Sequence, residues 1–291
     1  MSYVARVRGR EEIDQVLEEA RRRRLSVTPR GAGYSYGDEI LNPGGIILDL
    51  TKMNRILRWN PTAGRMTAEP GVTFAQALEC CLKDNWVIPA VPGTSYPTLG
   101  GALANNVHGK DAWKDGNLGD WVTAFTLLAG DGRAYRCSRE ENPELFRAAI
   151  SGLGLLGIFL DIDIRLKRIP SPYLEVRKWT VPSLEKMLKD FETLRRSTDY
   201  HIGWVDCFAT GPALGRGTIH AASFVEAPKR STRGGQDLAY TSPYLFGVFP
   251  RTWLWPLLKP FFGNAFMRFA NMAKFHADRL ANRRRPYLQN Y

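Results

Sequence analysis

The stretch Arg30-Gly31-Ala32-Gly33-Tyr34-Ser35-Tyr36-Gly37-Asp38 decides the fold of this chain. It follows a strand-like run over residues 25–29 and places three glycines within seven residues. Glycine has no Cβ atom and tolerates positive φ, so its backbone N–H groups can approach an anion closely and form a concave anion site. Arg30 stands at the start of the loop with a guanidinium group that suits phosphate. The stretch is typical of a phosphate-binding loop, although similar loops also serve as plain turns.

Two further stretches are rich in small residues. Residues 92–110 read PGTSYPTLGGALANNVHGK, and residues 152–158 read GLGLLGI. The first stretch, residues 30–38, is neither the Rossmann pattern G-x-G-x-x-G nor a Walker loop. Their spread from residue 30 to residue 158 suggests one long ligand that crosses a domain, and a dinucleotide has that shape.

Taken together, the three stretches resemble the FAD-binding domain of the vanillyl-alcohol-oxidase type of flavoenzymes, also called the PCMH type. The resemblance extends from about residue 4 to about residue 217. It implies an α+β fold, with a two-subdomain FAD-binding domain over residues 1–170 and part of an α+β substrate domain over residues 171–228. Predicted strands and helices that alternate without a regular repeat also favour the α+β class.

The resemblance also implies which residues bind FAD. It places the pyrophosphate against residues 31–37 and 98–101, and the flavin ring near Tyr36, Gly93, His108 and Ile158. The complete implied set is Arg30, Gly31, Ala32, Gly33, Tyr34, Ser35, Tyr36, Gly37, Asp38, Gly93, Thr94, Thr98, Leu99, Gly100, Gly101, His108, Gly109, Gly157 and Ile158. Many relatives tether FAD covalently through a histidine at the position of Tyr34. Because a phenol lacks the imidazole nitrogen that makes that bond, we expect non-covalent FAD.

His108, Lys110 and Tyr36 are the candidate catalytic residues. A histidine can bind or relay an alcohol proton near neutral pH, whereas a lone histidine is more often structural. Lys110 could hold a substrate phosphate as a point charge or be a solvated surface lysine. Trp204 would form a substrate wall by resemblance, and a core tryptophan is nearly as good an interpretation. Lys110 and Trp204 are therefore the predicted substrate contacts.

Cysteine and histidine spacing predicts no metal site. The four cysteines, Cys80, Cys81, Cys137 and Cys207, form no C-x-x-C pair, and we expect reduced, buried thiols. The first residues lack the apolar core of a signal peptide, and no run reaches the roughly 18 apolar residues of a membrane span. These features predict a cytoplasmic protein, peripheral at most to the inner face of a membrane.

Positive charge is concentrated in residues 229–291, which hold eleven Lys or Arg and two Asp, while the whole chain carries +11. Residues 264–283 predict a helix with Phe266, Phe269 and Ala273 on one stripe. This basic aromatic tail fits a helix packed on its own protein, a mobile or membrane-facing segment, or, less well, a nucleic-acid contact. We expect no nucleic-acid partner.

The resemblance implies an FAD-linked oxidoreductase acting on a CH–OH carbon. The substrate that it favours is the ribose C2 of a polyprenyl-phosphoryl ribose, an arabinan precursor for the cell wall. A short-chain-dehydrogenase-type reductase would then complete epimerisation to the arabinose form. An oxidase of a soluble sugar, lactone or hydroxy acid is one alternative. Because the later family segment with a catalytic lysine has no match in this sequence, a flavin-binding fragment or scaffold without independent catalysis is the other.

Overall fold

The computed structural model describes residues 2–226, 244–245, 249–250, 259, 263–277 and 283–286. The chain divides into two compact units, Met1–Ile169 and Pro170–Asn290. The boundary falls within one residue of the end predicted for the FAD-binding domain. Helices and strands mix in both units, which confirms the α+β fold class.

A small parallel sheet opens the first unit. It consists of β1 (Tyr3–Arg6), β2 (Val27–Arg30) and β3 (Ile46–Asp49), in the order β1-β3-β2. The helix α1 (Arg10–Arg23) lies between β1 and β2 in the chain and ends at Arg24, which is left-handed with φ 55°. Buried Ile13 of α1 and Leu48 of β3 belong to one apolar cluster. This packing fixes the end of β2, from which the first glycine loop departs.

An antiparallel five-stranded sheet forms the rest of the first unit's framework. Its strands are β4 (Ile56–Asn60), β5 (Arg65–Ala68), β7 (Val122–Ala129), β8 (Ala134–Ser138) and β9 (Gly157–Arg165), in the order β4-β5-β9-β7-β8, while β6 (Trp86–Val87) pairs with β10 (Lys167–Arg168). The strands β7 and β8 form a hairpin around residues 130–132, which read Gly-Asp-Gly. Buried residues on β7 and β9, such as Phe125 and Ile162, hold this sheet against the core.

Short helices connect the strands of the first unit. They are α2 (Phe74–Leu82), α3 (Leu99–Ala104), α4 (Ala112–Asp115), α5 (Leu118–Trp121) and α6 (Pro143–Ala149). A capping box begins α2: the Thr73 hydroxyl accepts from the Gln76 N–H, and the Gln76 side chain accepts from the Thr73 N–H. Asn142, which precedes α6, does not cap it with its side chain: the residue is left-handed, and its amide donates to the Arg136 carbonyl at 2.7 Å.

The second unit is built on an antiparallel sheet. Its strands are β11 (Tyr173–Val181), β12 (Tyr200–Val205), β13 (Gly217–Val225) and β16 (Arg283–Pro286), in the order β12-β13-β11-β16, and β14 (Tyr244–Leu245) pairs with β15 (Phe249–Pro250). The helix α7 (Leu184–Leu194) begins at a Ser183 hydroxyl cap and packs Met187 and Leu194 on this sheet.

Part of the predicted tail belongs to the second unit. The helix α8 (Asn264–Ala277) buries Phe275, and its Asn271 amide donates to the Asp206 carboxylate at 3.0 Å. The prediction of a helix to residue 283 is wrong, since residues 283–286 form a strand with β11. The predicted stripe of Phe266, Phe269 and Ala273 lies on this helix, but Phe269 is 61% exposed, so the stripe is not the buried face. The tail segments 229–243 and 251–258 lie outside the described residues.

The cysteines are free, and two of the four are buried. Cys81 and Cys137 are buried as predicted, whereas Cys80 is half-buried and Cys207 is exposed. Position explains Cys207, which lies just beyond the end of β12 at the surface. Within the part of the chain that the structure describes, no helix has the length and apolar character needed to cross a membrane.

Candidate cofactor site

The three small-residue stretches face the same cavity, which has a volume of about 610 Å³ and lies in the first unit. This volume lies within the range of roughly 300–1,000 Å³ that small-molecule and cofactor sites occupy. The predicted FAD-binding residues on its wall are Arg30, Gly31, Ala32, Gly33, Tyr34, Ser35, Tyr36, Gly93, Thr94, Thr98, Gly100, Gly101, Gly157 and Ile158. The structure therefore brings together segments that are more than 120 positions apart in the sequence.

The first wall is the loop that leaves β2. Gly33 has φ +75°, a left-handed conformation that favours glycine, and it turns the chain across the Arg30 side chain. A Cβ atom on Gly33 would lie 2.9 Å from Nη2 of Arg30. The buried Nε of Arg30 has no hydrogen-bond partner. A buried guanidinium N–H without an acceptor costs free energy, and an anionic ligand in the cavity would supply that acceptor.

The second wall is the turn that begins α3. The Thr98 hydroxyl accepts from the Gly101 N–H at 3.3 Å and caps this turn. The same hydroxyl occupies the space in which Gly31 would place a Cβ atom, so the first and second loops touch at this point. Gly100 packs against Pro70, and a Cβ atom there would lie 2.6 Å from the proline Cβ. These two glycines are needed for packing.

Gly93 differs from its neighbours. A Cβ atom on Gly93 would meet no atom within 4 Å, although the residue lies on the cavity wall. The packing of the protein therefore does not account for this glycine, whereas a ligand that lies against the backbone would. The open space beside Gly93 and the unpaired Arg30 nitrogen together fit a ligand that combines a flat ring with phosphate.

The third wall comes from the chain that enters β9. Leu153 and Gly154 are left-handed, with φ +52° and +77°, and Gly157 has φ +151°. Ile158 is buried and follows Gly157 into the sheet. The bends at these residues bring Leu153 and Ile158 to the cavity, where they supply apolar surface.

Five predicted FAD-binding residues do not line the cavity: Gly37, Asp38, Leu99, His108 and Gly109. Gly37 and Asp38 are exposed beyond the loop, and Leu99 is buried beneath the α3 turn. His108 and Gly109 follow Val107, which does reach the cavity wall. The roles of all five in binding stay predictions.

The candidate catalytic residues have unlike surroundings. The Tyr36 side chain is fully exposed at the cavity, and His108 is exposed with its Nδ1 atom 3.4 Å from the Gly109 carbonyl oxygen. Lys110 is half-buried. Burial lowers the pKa of Lys110 to about 8, although the Asp111 carboxylate acts in the opposite direction. Near neutral pH, Lys110 therefore remains a cation that can lose its proton more readily than an ordinary lysine.

Trp204, the other predicted substrate contact, belongs to the second unit at the end of β12. It is half-buried, and the Lys274 ammonium of α8 lies 4.8 Å from its ring centroid. Such a cation–π contact is consistent with a structural link between α8 and the sheet. The substrate role of Trp204 stays a prediction.

Sequence reasoning missed several wall residues and one buried acid. Pro29, Glu39, Leu153 and Gly154 line the cavity, and the glycine motif at residues 152–158 was a signal for the last two. Asp111, which directly follows the His108-Gly109-Lys110 motif, is 1% exposed. Among the described residues, no group of three or more His, Cys, Asp or Glu side chains is placed to hold a metal ion.

Comparison with known proteins agrees with this site. Residues 1–138 match the family model of the FAD binding domain. The prediction of an FAD-binding domain of the vanillyl-alcohol-oxidase type is therefore confirmed, and FAD is its cofactor. The match covers the first two walls of the cavity and ends before the third.

Curated relatives extend the similarity beyond that domain. The chain is 28% identical to a decaprenylphosphoryl-beta-D-ribose oxidase of Mycolicibacterium smegmatis over 77% of this chain and 50% of the relative. It is 29% identical to an L-gulonolactone oxidase of Bos taurus, over 65% of this chain and 42% of that relative. It is also 29% identical to a D-lactate dehydrogenase of Anaerostipes hadrus, over 56% of this chain and 35% of that relative. The chain spans half or less of the length of these relatives.

Proposed function

We propose that this chain binds FAD without a covalent bond and with it oxidises a CH–OH carbon of a sugar. The observation that carries the proposal is the shared cavity onto which all three small-residue stretches open. Tyr34 lies on the cavity wall and offers no imidazole nitrogen for a covalent link. The names of the relatives, which are oxidases and a dehydrogenase, support the reaction class.

Different residues of this chain would bind the cofactor and the substrate. The unpaired Arg30 guanidinium and the glycine loop would hold the pyrophosphate, and the open backbone at Gly93 would admit the flat ring. When bound, FAD supplies the hydride acceptor that no side chain can provide. His108 would bind or take the hydroxyl proton, and the Lys110 ammonium would attract an anionic part of the substrate.

For the substrate, we propose the ribose C2 of a polyprenyl-phosphoryl ribose, with a short-chain-dehydrogenase-type reductase as the partner that completes epimerisation to the arabinose form. The match to the ribose oxidase covers more of this chain than the matches to the other two relatives do, which favours this substrate. A lipid-phosphate substrate would also suit the positive charge of residues 229–291 at a membrane surface.

Two other functions remain alternatives to this proposal. The lactone oxidase and the lactate dehydrogenase among the relatives favour an oxidase of a soluble lactone, sugar or hydroxy acid. The other alternative is a flavin-binding protein without independent catalysis. Anaerobic mixing of the FAD-loaded chain with each substrate separates the three. Loss of flavin absorbance identifies the substrate, and no loss with any of them favours the third.

Gly93→Ala tests the cofactor site itself. A methyl group there would meet no protein atom but would enter the cavity, so the protein should fold normally and lose FAD affinity. Overpacking costs about 1–3 kcal/mol, which predicts an increase in the Kd for FAD of about fivefold to 150-fold. Gly9→Ala is the matched control, because Gly9 is extended and has equally open space outside the cavity. Equal FAD affinities for the two variants, measured by fluorescence titration, would refute this site.

A further inference from the structure

Asp111 is a buried acid that the proposed reaction does not use. Its side chain is 1% exposed, and Oδ2 accepts a long hydrogen bond of 3.4 Å from the Ala90 N–H. The other oxygen, Oδ1, has no hydrogen-bond partner. A buried carboxylate with an unpaired oxygen costs stability when it is charged, so its presence calls for an explanation.

The neighbours of Asp111 are two segments of the candidate site. Gly109 packs directly on Oδ1, which leaves no room for a Cβ atom, and such an atom would also lie 2.9 Å from the Val91 carbonyl oxygen. The turn that carries His108 and Lys110 is thus held between the Asp111 carboxyl group and the Ala90–Val91 backbone. That backbone continues into Pro92 and Gly93, which line the cavity.

Ala90 provides independent evidence of constraint. It is fully buried and left-handed, with φ +59°, a conformation that costs free energy for alanine. Because the Ala90 N–H donates to Asp111, the carboxyl group helps to hold this backbone in place. The Asp111 main-chain carbonyl also accepts the N–H groups of Lys114 and Asp115, each at 2.8 Å, which fixes the far side of the turn.

The charged groups around Asp111 raise its pKa in some cases and lower it in others. The pKa of Asp111 is raised to about 6, chiefly by burial and also by the Asp115 carboxylate of α4. The N–H groups of Asp111 itself and of Ala90 and the Lys167 ammonium of β10 act in the opposite direction and only partly offset this rise. Lys167 is itself paired with Asp115. Lys110, on the same turn, is a further neighbour, and the Asp111 carboxylate partly offsets the lowering of the Lys110 pKa by burial. Asp111 therefore gains or loses its proton close to physiological pH, unlike an ordinary aspartate.

We propose that Asp111 is a positioning residue that holds the His108-Gly109-Lys110 turn against the Ala90–Val91 backbone, more firmly when its carboxyl group is neutral than when it is charged. The inference rests on the proposed function only in taking this turn as part of the substrate site. With the proton bound, Oδ2 still accepts from Ala90 and no uncompensated charge is buried. With the proton lost, the closed turn carries that charge and opens more often.

Hydrogen–deuterium exchange of the Gly109 and Lys110 amides between pH 5 and pH 7 tests the proposal on the cofactor-free full chain. A closed-state pKa near 6 against about 3.9 in the open turn predicts that the opening equilibrium, corrected for intrinsic exchange, rises about tenfold over this range. Asp111→Asn keeps an acceptor for Ala90 but cannot ionise, so opening should become independent of pH. Asp111→Ala should also remove the pH dependence, and it should open the turn more at every pH.

Asp131→Asn is the control, because Asp131 is an exposed carboxylate elsewhere in the same unit, and this variant should keep the native pH dependence. Two results would overturn the proposal: an unchanged pH dependence in Asp111→Asn, or equal opening in Asp111→Asn and Asp111→Ala. FAD titration of the same samples reports the proposed function separately. Normal exchange behaviour with no FAD binding would overturn that function and leave the role of Asp111 intact.

Discussion

Gly31 and Thr98 provide a quantitative test of how the first two walls of the cavity fit together. A Cβ atom on Gly31 would collide with Oγ1 of Thr98, while the remaining Thr98 side-chain atoms would lie at ordinary contact distances of 3.5 and 3.7 Å. The conflict is therefore confined to one hydroxyl group. Thr98 is 2% exposed, so it has little free space into which it can move.

The expected free energies follow from this geometry. Gly31→Ala should destabilise the first unit by about 1–3 kcal/mol through overpacking. Thr98→Ala should cost about 1 kcal/mol, since it removes the cap on the Gly101 N–H. The double variant should cost only about as much as Thr98→Ala, because the colliding oxygen is gone. In Gly31→Ala, Thr98 could also rotate away from the new methyl group, and its hydrogen bond to the Gly101 N–H would then be lost already. In that case too, the cost of the double variant would be smaller than the sum of the two single costs.

Urea denaturation of the cofactor-free protein measures these free energies of unfolding. A double-mutant cycle should give a coupling of about 1–3 kcal/mol in favour of the double variant. Thr98→Val is the control, because its second methyl group replaces the hydroxyl and keeps the collision with the added Cβ atom of Gly31→Ala in place. Additive costs for Gly31→Ala and Thr98→Ala would refute the direct contact between the two loops, and with it this account of the cavity.

Three further predictions concern the cofactor, the second unit and the tail. Acid precipitation of the FAD-loaded protein should release all flavin to the supernatant, and flavin retained in the pellet would contradict non-covalent binding at Tyr34. Asp206→Ala should destabilise the second unit by about 2–4 kcal/mol, measured by thermal unfolding, because it leaves the Arg216 guanidinium and the Asn271 amide without their buried acceptor. Replacing the exposed Phe269 and Met272 of α8 by serine should weaken co-sedimentation with anionic vesicles at unchanged stability, and equal binding would contradict a membrane contact by this helix.

The pH dependence of the Asp206 contribution has a definite sign. Burial alone would raise its pKa, but the Phe208 N–H, the Asn271 amide and the Arg216 guanidinium outweigh burial and hold the pKa below its ordinary value. A lowered pKa in the folded state means that the stabilisation is present above the unfolded-state value of about 3.9 and is lost as the pH falls. Acid unfolding of Asp206→Asn should accordingly depend less on pH than that of the native chain.

Local sequence signals predicted the helices and strands well where a short-range cause exists. The capping box of Thr73 and the alternation in β9 each depend on neighbours within a few residues, so both could be recognised from the sequence. The end of α8 could not, because residues 283–286 extend as a strand beside β11, a partner more than 100 positions earlier. Pairing across that distance overrides local helix propensity.

The residues of the candidate site also divide into those with a local sequence signal and those without one. The glycine motifs indicated the cavity because close backbone approach needs glycine at a recognisable spacing. Nothing local distinguishes Asp111 from a surface aspartate, since its carboxyl group is bonded to the backbone of Ala90, which lies 21 positions earlier in the chain. Residue spacing also could not show that the second stretch leaves the cavity wall after Val107, one residue before His108.

The glycines of the site fall into two groups with different causes, and this distinction links the fold to the function. Gly100 and Gly109 are fixed by the protein itself, since a Cβ atom would strike Pro70 or Asp111. Substitutions at these positions should therefore harm folding whether or not a cofactor binds. Gly93 has no such constraint, so a loss of FAD affinity there can be attributed to the ligand alone. Only the second kind of glycine is evidence for a cofactor, because the first kind would be required in an empty scaffold as well.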